Sequence, residues 1–244
     1  MVIEKLNWDT EFFGIKIGRL LVTDEKDFDP IEFVERARDE KYELVYIFKY
    51  SNMFTLPKVL KANLDLVDIM LTMSKKFNKN EYKNIPYNFR TSLSKQEIDE
   101  CYYIAEKTAK VSRFYNDNKI GIEKTKALYR KWIDNALDSK FSDGIFLEKE
   151  MDKVVGIHLL KTDKKNNLGY FTLSGVNPEY KRMGIGYKLW LQSFGYWGKE
   201  SDISIIKSPF SFQNVESFNF HLKMGFQKTE EIKFIYHYRN NYSL

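Results

Sequence analysis

The stretch Val176-Asn-Pro-Glu-Tyr-Lys-Arg-Met-Gly-Ile-Gly-Tyr187 constrains this chain more than any other. An apolar run, Tyr170–Val176, reads as a strand, and Pro178 ends its ladder because proline has no N–H to give. A loop with glycines at 184 and 186 then leads into a run with helical periodicity: Leu189, Trp190, Phe194 and Trp197. The first amides of a helix have no partners inside it and lie at the positive end of its dipole. Gly184 and Gly186 let a ligand approach the backbone, Lys181 and Arg182 add positive charge, and Met183, Ile185 and Tyr187 complete the turn. Such a junction suits a phosphate or a diphosphate. A glycine-tightened helix start with two solvated bases has the same pattern, so the loop alone leaves both readings open. Two other phosphate loops are excluded. A dinucleotide fingerprint needs a third glycine where Leu189 stands, and a P-loop needs Gly-Lys-Ser/Thr, which is absent.

Periodicity supplies the elements around this junction. Lys75–Asn88 is polar, rich in Lys and Asn, and carries Pro86. It divides the chain into a small α/β domain over residues 1–78, a linker at 79–90 and a second domain over 91–244. In the first part Phe12–Val22, Leu44–Phe48 and the alternating Val67, Ile69, Leu71 and Met73 read as strands, and Pro30–Arg38 reads as a helix. In the second part Ser94-Lys-Gln-Glu97 is a capping box. It opens a helix with Ile98, Cys101, Tyr102, Ala105 and Ala109 on its apolar face, and another helix starts near Glu123. Strands at 145–147, 153–160 and 170–176 have the short polar connections of hairpins. After the Gly184 helix come a strand at 203–206, a helix from Val215 ending before Gly225, and a strand alternating Ile232, Phe234, Tyr236 and Tyr238. The second part is therefore ordered ααβββαβαβ.

Composition narrows the partners. One cysteine, Cys101, excludes an internal disulfide, and the three histidines, His158, His221 and His237, are too scattered to predict a metal site. The net charge of +5 is spread along the chain, which suits an anionic small molecule and falls short of a nucleic-acid footprint. No apolar run reaches the ~20 residues of a membrane span. The start, Met1-Val-Ile-Glu-Lys-Leu6, lacks the layout of a signal peptide, so a cytoplasmic protein is expected.

A second motif, Asn214-Val-Glu-Ser-Phe-Asn-Phe-His-Leu-Lys-Met-Gly-Phe226, begins 28 residues after Gly186. Together, Lys181-Arg-Met-Gly-Ile-Gly186 and this segment resemble the GNAT superfamily of acetyl-CoA-dependent N-acetyltransferases. The first matches the family's diphosphate loop, with lysine in place of the usual Arg or Gln. The second matches its later Leu-Tyr-x-Lys-x-Gly-Phe motif. The resemblance implies a mixed, mostly antiparallel sheet flanked by helices, which splays where the strand ending at Val176 parts from the strand at 203–206. The coenzyme's pantetheine arm would lie in that opening against backbone near Ser174–Val176. The Val176 amide would face the thioester carbonyl, and Asn214 would touch the coenzyme. The family's usual tyrosine acid is replaced by His221, which the resemblance makes the candidate proton donor to the departing thiolate, with Tyr187 or a water as the alternative. His158 is a candidate on the acceptor side, and His237, out of phase with the apolar residues of its strand, is expected at the surface.

A narrower likeness lies in Leu6-Asn-Trp-Asp-Thr-Glu-Phe-Phe-Gly-Ile-Lys-Ile-Gly-Arg19, Ser112-Arg-Phe-Tyr-Asn-Asp117 and Leu128-Tyr-Arg-Lys-Trp132. These look like the family of the dTDP-4-amino-4,6-dideoxygalactose (dTDP-fucosamine) N-acetyltransferase. That likeness implies the amine of a nucleotide-linked amino-deoxysugar as acceptor, for surface polysaccharide synthesis. Arg113 would meet the sugar nucleotide's phosphates, Tyr115 would stack on a ring, and the protein would work as a dimer. A peptide or other small amine as acceptor, or a non-catalytic acyl-CoA-binding module, are the alternatives.

Overall fold

The Ser94 capping box forms as the sequence predicts. The Ser94 hydroxyl accepts from the Glu97 amide at 3.3 Å, and the Glu97 carboxylate takes the Ser94 amide at 2.6 Å. The Ser94 amide, aided by the Lys149 ammonium, holds the Glu97 carboxyl down at about 2. These contacts come from a computed structural model that describes residues 1–138 and 142–240. In chain order its elements are β1 (Glu4–Lys5), α1 (Asn7–Phe13), β2 (Ile17–Val22), α2 (Pro30–Asp39), β3 (Leu44–Tyr50), α3 (Leu56–Lys61) and β4 (Leu64–Lys76). Next come α4 (Lys79–Tyr82), β5 (Phe89–Arg90), α5 (Lys95–Thr108), α6 (Ile122–Leu137), β6 (Gly144–Glu150), β7 (Lys153–Asp163) and β8 (Leu168–Val176). The chain closes with α7 (Ile185–Glu200), β9 (Ile205–Ser211), α8 (Val215–Lys223) and β10 (Lys228–Arg239).

Two compact units result. The first takes in Met1–Leu71, Ser211–Gln213 and the described part of Glu231–Leu244. In it β2 runs parallel to β3 through the α2 crossover, β1 pairs antiparallel with β2, and β10 pairs antiparallel with β3 from Tyr50↔Lys233 to Leu44↔Arg239. Its core joins Leu20, Val22, Phe28, Phe33, Val45, Ile47 and Phe54 to Tyr236 and Tyr238, so the last strand is built into the core made by the first residues. Two details depart from the sequence reading. The stretch read as one strand over Phe12–Val22 is split: Asn7–Phe13 is helical, Gly14 caps that helix at φ 71°, and the strand starts at Ile17. His237 is buried, its ring 4.9 Å from that of Tyr46, because both faces of this strand are covered over residues 235–238.

The second unit, Thr72–Phe210 and Asn214–Glu230, carries the strand–loop–helix junction. Strands β6, β7 and β8 form an antiparallel meander with β5 outside β6, and β9 joins β8 in parallel. Helices α5 and α6 cover one face, packing Cys101, Ile104, Ala105, Tyr129 and Ile133 on Ile145, Leu147, Ile157, Leu159 and Leu173. Helix α7 covers the other with Trp190, Phe194 and Trp197 around Phe171. The mixed, mostly antiparallel sheet between helices is the architecture expected from the sequence. Among the described residues no helix is long and apolar enough to cross a membrane.

Candidate active site

Strands β8 and β9 are paired only at their starts. The ladder runs Leu168↔Ile205, Gly169↔Ile206 and Tyr170↔Lys207, and no further pair joins them among the described residues. On its other edge β8 stays on β7 as far as Gly156↔Val176. Between Leu159↔Leu173 and Leu160↔Phe171 the register slips, leaving Thr172 as an extra residue, a bulge that twists the strand where the two part. The direction of the backbone then follows. The Asn177 amide donates to the Val155 carbonyl at 2.8 Å, so the pairs 156/176 and 158/174 are the ones that do not bond across this ladder. The N–H and C=O groups of Ser174 and Val176 therefore point toward the side that β9 has left.

The loop after β8 ends beside this gap. Asn177 is buried and its side chain accepts from the Glu179 amide, which turns the chain at Pro178. Arg182 at φ 66° and Gly184 at φ 78° then bend it into α7. No side chain caps this helix among the described residues, and its first turn holds no acid. The first internal bond of the helix runs from the Lys188 N–H to the Gly184 carbonyl at 3.0 Å, leaving the amides of residues 184–187 beyond the reach of the helix's own bonding. Lys181, Arg182, Met183, Gly184 and Tyr187 are exposed, Gly186 is half-buried, and Ile185 is buried as the anchor of the turn. A Cβ built on Gly186 would lie 3.7 Å from Phe220 and 3.9 Å from Val176, so this glycine lines the passage from the helix terminus to the end of β8.

The side chains singled out from the motifs take less uniform positions. Lys181 forms an ion pair with Glu216 in the first turn of α8, Nζ to Oε2 at 2.9 Å, and that ammonium holds the Glu216 carboxyl below its usual range. Asn214 caps α8, accepting from the Ser217 amide at 3.0 Å, which leaves its side-chain nitrogen as a donor. His221 is only 2% exposed and stacks on Phe210 with ring centroids 4.1 Å apart. Its Nδ1 lies 2.7 Å from the Ser217 carbonyl, which can only accept, so Nδ1 carries the ring proton. Nε2 accepts from the Ser208 hydroxyl at 2.7 Å, and burial pushes the imidazole down to about 4. A neutral ring with its one proton already donated to the backbone has none to give a ligand, which is where the structure departs from the proton-donor expectation for His221.

His158 is fully buried, and its Nδ1 lies 2.5 Å from the hydroxyl oxygen of Ser174, a residue exposed at the parted edge. Burial pushes this imidazole down to about 3, with His221 adding to the effect. Trp190 donates its Nε1–H to the same Ser174 oxygen at 3.2 Å. Helical periodicity marks Trp190 only as a core residue, and nothing in one sequence tells where its N–H points. Arg113 and Tyr115 lie on the turn after α5, Arg113 with its guanidinium 4.5 Å over the Phe114 ring. Thr108, at the end of α5, sits under Gly175, where a Cβ would be 2.5 Å from its Oγ1. An open cleft of about 780 Å³ between α5 and the start of the loop includes Asp99, Glu100 and Glu179 against Lys95 and Lys153, a poor setting for a diphosphate. No group of metal-ligating side chains occurs among the described residues.

Comparison with known proteins gives the family and the fold. Residues 97–226, more than half the chain, match the acetyltransferase (GNAT) family. Nothing among curated proteins matches the chain. Among solved structures, a functionally unknown conserved protein from Staphylococcus epidermidis ATCC 12228 superposes at a TM-score of 0.62 with 10% identity, over 93% of this chain and 84% of its own. A GCN5-related N-acetyltransferase from Kribbella flavida gives 0.54 with 10% identity, over 93% and 83%. One from Sphaerobacter thermophilus gives 0.52 with 13% identity, over 88% and 68%. At such identities the likeness concerns the fold, while the match over 97–226 concerns the family. This chain belongs to the GNAT family of acetyltransferases.

Proposed function

We propose that this protein transfers the acetyl group of acetyl-CoA to the amine of a nucleotide-linked amino-deoxysugar. The observation that carries the donor half is the alignment of two sets of backbone donors. The free first turn of α7 offers amides to a diphosphate, and the parted edge of β8 offers Ser174 and Val176 to an amide-bearing arm. Acetyl-CoA has both parts in that order, and it supplies an acetyl group activated as a thioester. The donor set is neutral and fixed in place, so it stabilises charge without first reorganising.

In this reading Lys181, Arg182, Met183, Gly184, Ile185, Gly186 and Tyr187 hold the diphosphate, mainly through main-chain N–H groups. Asn214 contributes its side-chain nitrogen. The Val176 amide meets the thioester carbonyl oxygen, where negative charge develops as the amine attacks. The chain's share of the rate is orientation and charge stabilisation, with no group acting as a strong base. His221 serves as a rigid support for the wall formed by Phe210 and Trp190. The acceptor half rests on the likeness of residues 6–19, 112–117 and 128–132 to the amino-sugar enzymes, with Arg113 toward the phosphates and Tyr115 toward a ring.

The test is mass spectrometry of the protein incubated with acetyl-CoA and a panel of dTDP-linked amino-dideoxyhexoses, peptides and small amines. An acetylated sugar nucleotide is expected. Acetylation confined to peptides or small amines overturns the acceptor, and coenzyme binding with no product from any amine overturns the transferase reading.

A further inference from the structure

We propose that the side-chain hydroxyl of Ser174, fixed by Trp190 and His158, is a hydrogen-bond donor to the sulfur of the coenzyme; this rests on the acetyl-CoA reading above. Ser174 is exposed at the parted edge of β8, yet its oxygen has two buried neighbours: Trp190 Nε1 at 3.2 Å and His158 Nδ1 at 2.5 Å. The indole N–H can only donate, so it occupies one lone pair of the oxygen. The direction of the second contact depends on which nitrogen of His158 bears the proton.

The far side of that ring decides it. His158 Nε2 is buried and has no hydrogen-bonding partner among the described residues. It lies in an aromatic setting, with Phe171 edge-on at 4.3 Å between centroids and Phe146 at 6.4 Å. A proton on Nε2 would strand an N–H among these rings, and stranded buried donors are rarer than under-used acceptors. The proton therefore sits on Nδ1 and is donated to Ser174. Both lone pairs of the serine oxygen are then taken, and its own O–H is left as the one group with which the hydroxyl can bond a ligand. Two donors on one oxygen also polarise that O–H and strengthen the bond it makes.

The sulfur is the fitting acceptor. As the thioester reacts, the carbonyl oxygen is met by main-chain N–H groups of β8, and the second atom that gathers charge is sulfur. The carbon–nitrogen bond forms from the amine lone pair, and the carbon–sulfur bond breaks with its electron pair left on sulfur. The proton shed by nitrogen goes to water, and Ser174 keeps its own proton, stabilising the thiolate by a charge-assisted hydrogen bond. This assigns Ser174 the stabilising part that His221, locked onto Ser217 and Ser208, does not fill. His158 and Trp190 act through Ser174 and are positioning residues.

The thiolate absorbance of bound coenzyme A, titrated against pH, reads this bond without any acceptor amine. His158 and His221 are the titratable groups behind Ser174, and both stay neutral through the range used. Replacing Ser174 by alanine is expected to leave the calorimetric Kd for coenzyme A within about twofold and to raise the apparent pKa of the bound thiol by roughly one unit, a tenfold change. Ser174→Thr, which keeps the hydroxyl, restores the lower value. An unchanged thiol pKa in Ser174→Ala with coenzyme A still bound overturns this inference and leaves the acetyl-CoA reading intact. Loss of coenzyme A binding in Ser174→Ala overturns it too, because the hydroxyl would then be a binding anchor. Failure of the unmodified protein to bind coenzyme A overturns both.

Discussion

Gly184 and Gly186 stand two residues apart, and alanine has the opposite effect on stability at each. Gly184 has φ 78°, and a Cβ there meets nothing within 4 Å, so the cost of Gly184→Ala is purely conformational. It comes to about 1 kcal/mol, the penalty for an L-residue in the left-handed region. Gly186 is helical with an ordinary φ, and its Cβ would make van der Waals contact with Phe220 at 3.7 Å and Val176 at 3.9 Å. Gly186→Ala therefore gains about 0.5–1 kcal/mol from reduced backbone freedom. For a chain of this size each kcal/mol moves Tm by about 2–4 °C, so the two variants should melt about 3–8 °C apart, on opposite sides of the parent. Binding separates them differently. The Gly186 methyl fits the wall of the passage, so coenzyme A should bind Gly186→Ala about as well as the parent. Leucine fills the space between Val176 and Phe220 and should weaken binding by about 10–100-fold. Differential scanning calorimetry and titration calorimetry measure the two effects. Gly184→Ala melting with the parent would refute the left-handed turn, and Gly186→Leu binding coenzyme A normally would refute the path of the ligand.

Stability should also fall with acid well above the carboxylate range. Burial pushes His158 down to about 3 and His221 to about 4, so below pH 6.5 the unfolded chain takes up two protons that the folded chain refuses. The contribution is complete above about pH 7.5 and falls by about 4 kcal/mol by pH 5; urea unfolding at the two pH values checks it, and equal stabilities would contradict the burial of both rings. Because His221 stays neutral, the kcat profile should lack a histidine limb near pH 6.5, whereas a limb abolished in His221→Phe would restore it as a proton donor. Ser94→Ala removes one half of a formed capping box and should cost about 1 kcal/mol, read as a Tm lower by about 2–4 °C.

The order of elements after residue 94 is legible in the sequence because each has a local signal. These are the capping box at Ser94, helical spacing after Gly184, and two-residue alternation from Ile232 to Tyr238. The start of the chain is less so. Asn7–Phe13 lacks a side-chain cap and presents two adjacent phenylalanines before a glycine, which periodicity cannot distinguish from the strand that follows. The loop at 181–187 is readable because glycines and a strand-to-helix switch are local facts. The environments of His158, His221 and Trp190 are not, because burial and the partners Ser174, Ser208 and Ser217 come from separate elements brought together only by folding. His237 shows the same limit: its phase along β10 suggests water, but both faces of that strand are covered over residues 235–238.

The most direct measurement is a titration of isotope-labelled protein with coenzyme A, followed by nuclear magnetic resonance of the backbone amides. The largest shifts should fall on residues 184–187, where the diphosphate would sit, and on Ser174 and Val176, beside the pantetheine arm. Saturable binding that leaves those six amides unmoved would contradict the assignment of the α7 terminus and the parted strand edge as the coenzyme site.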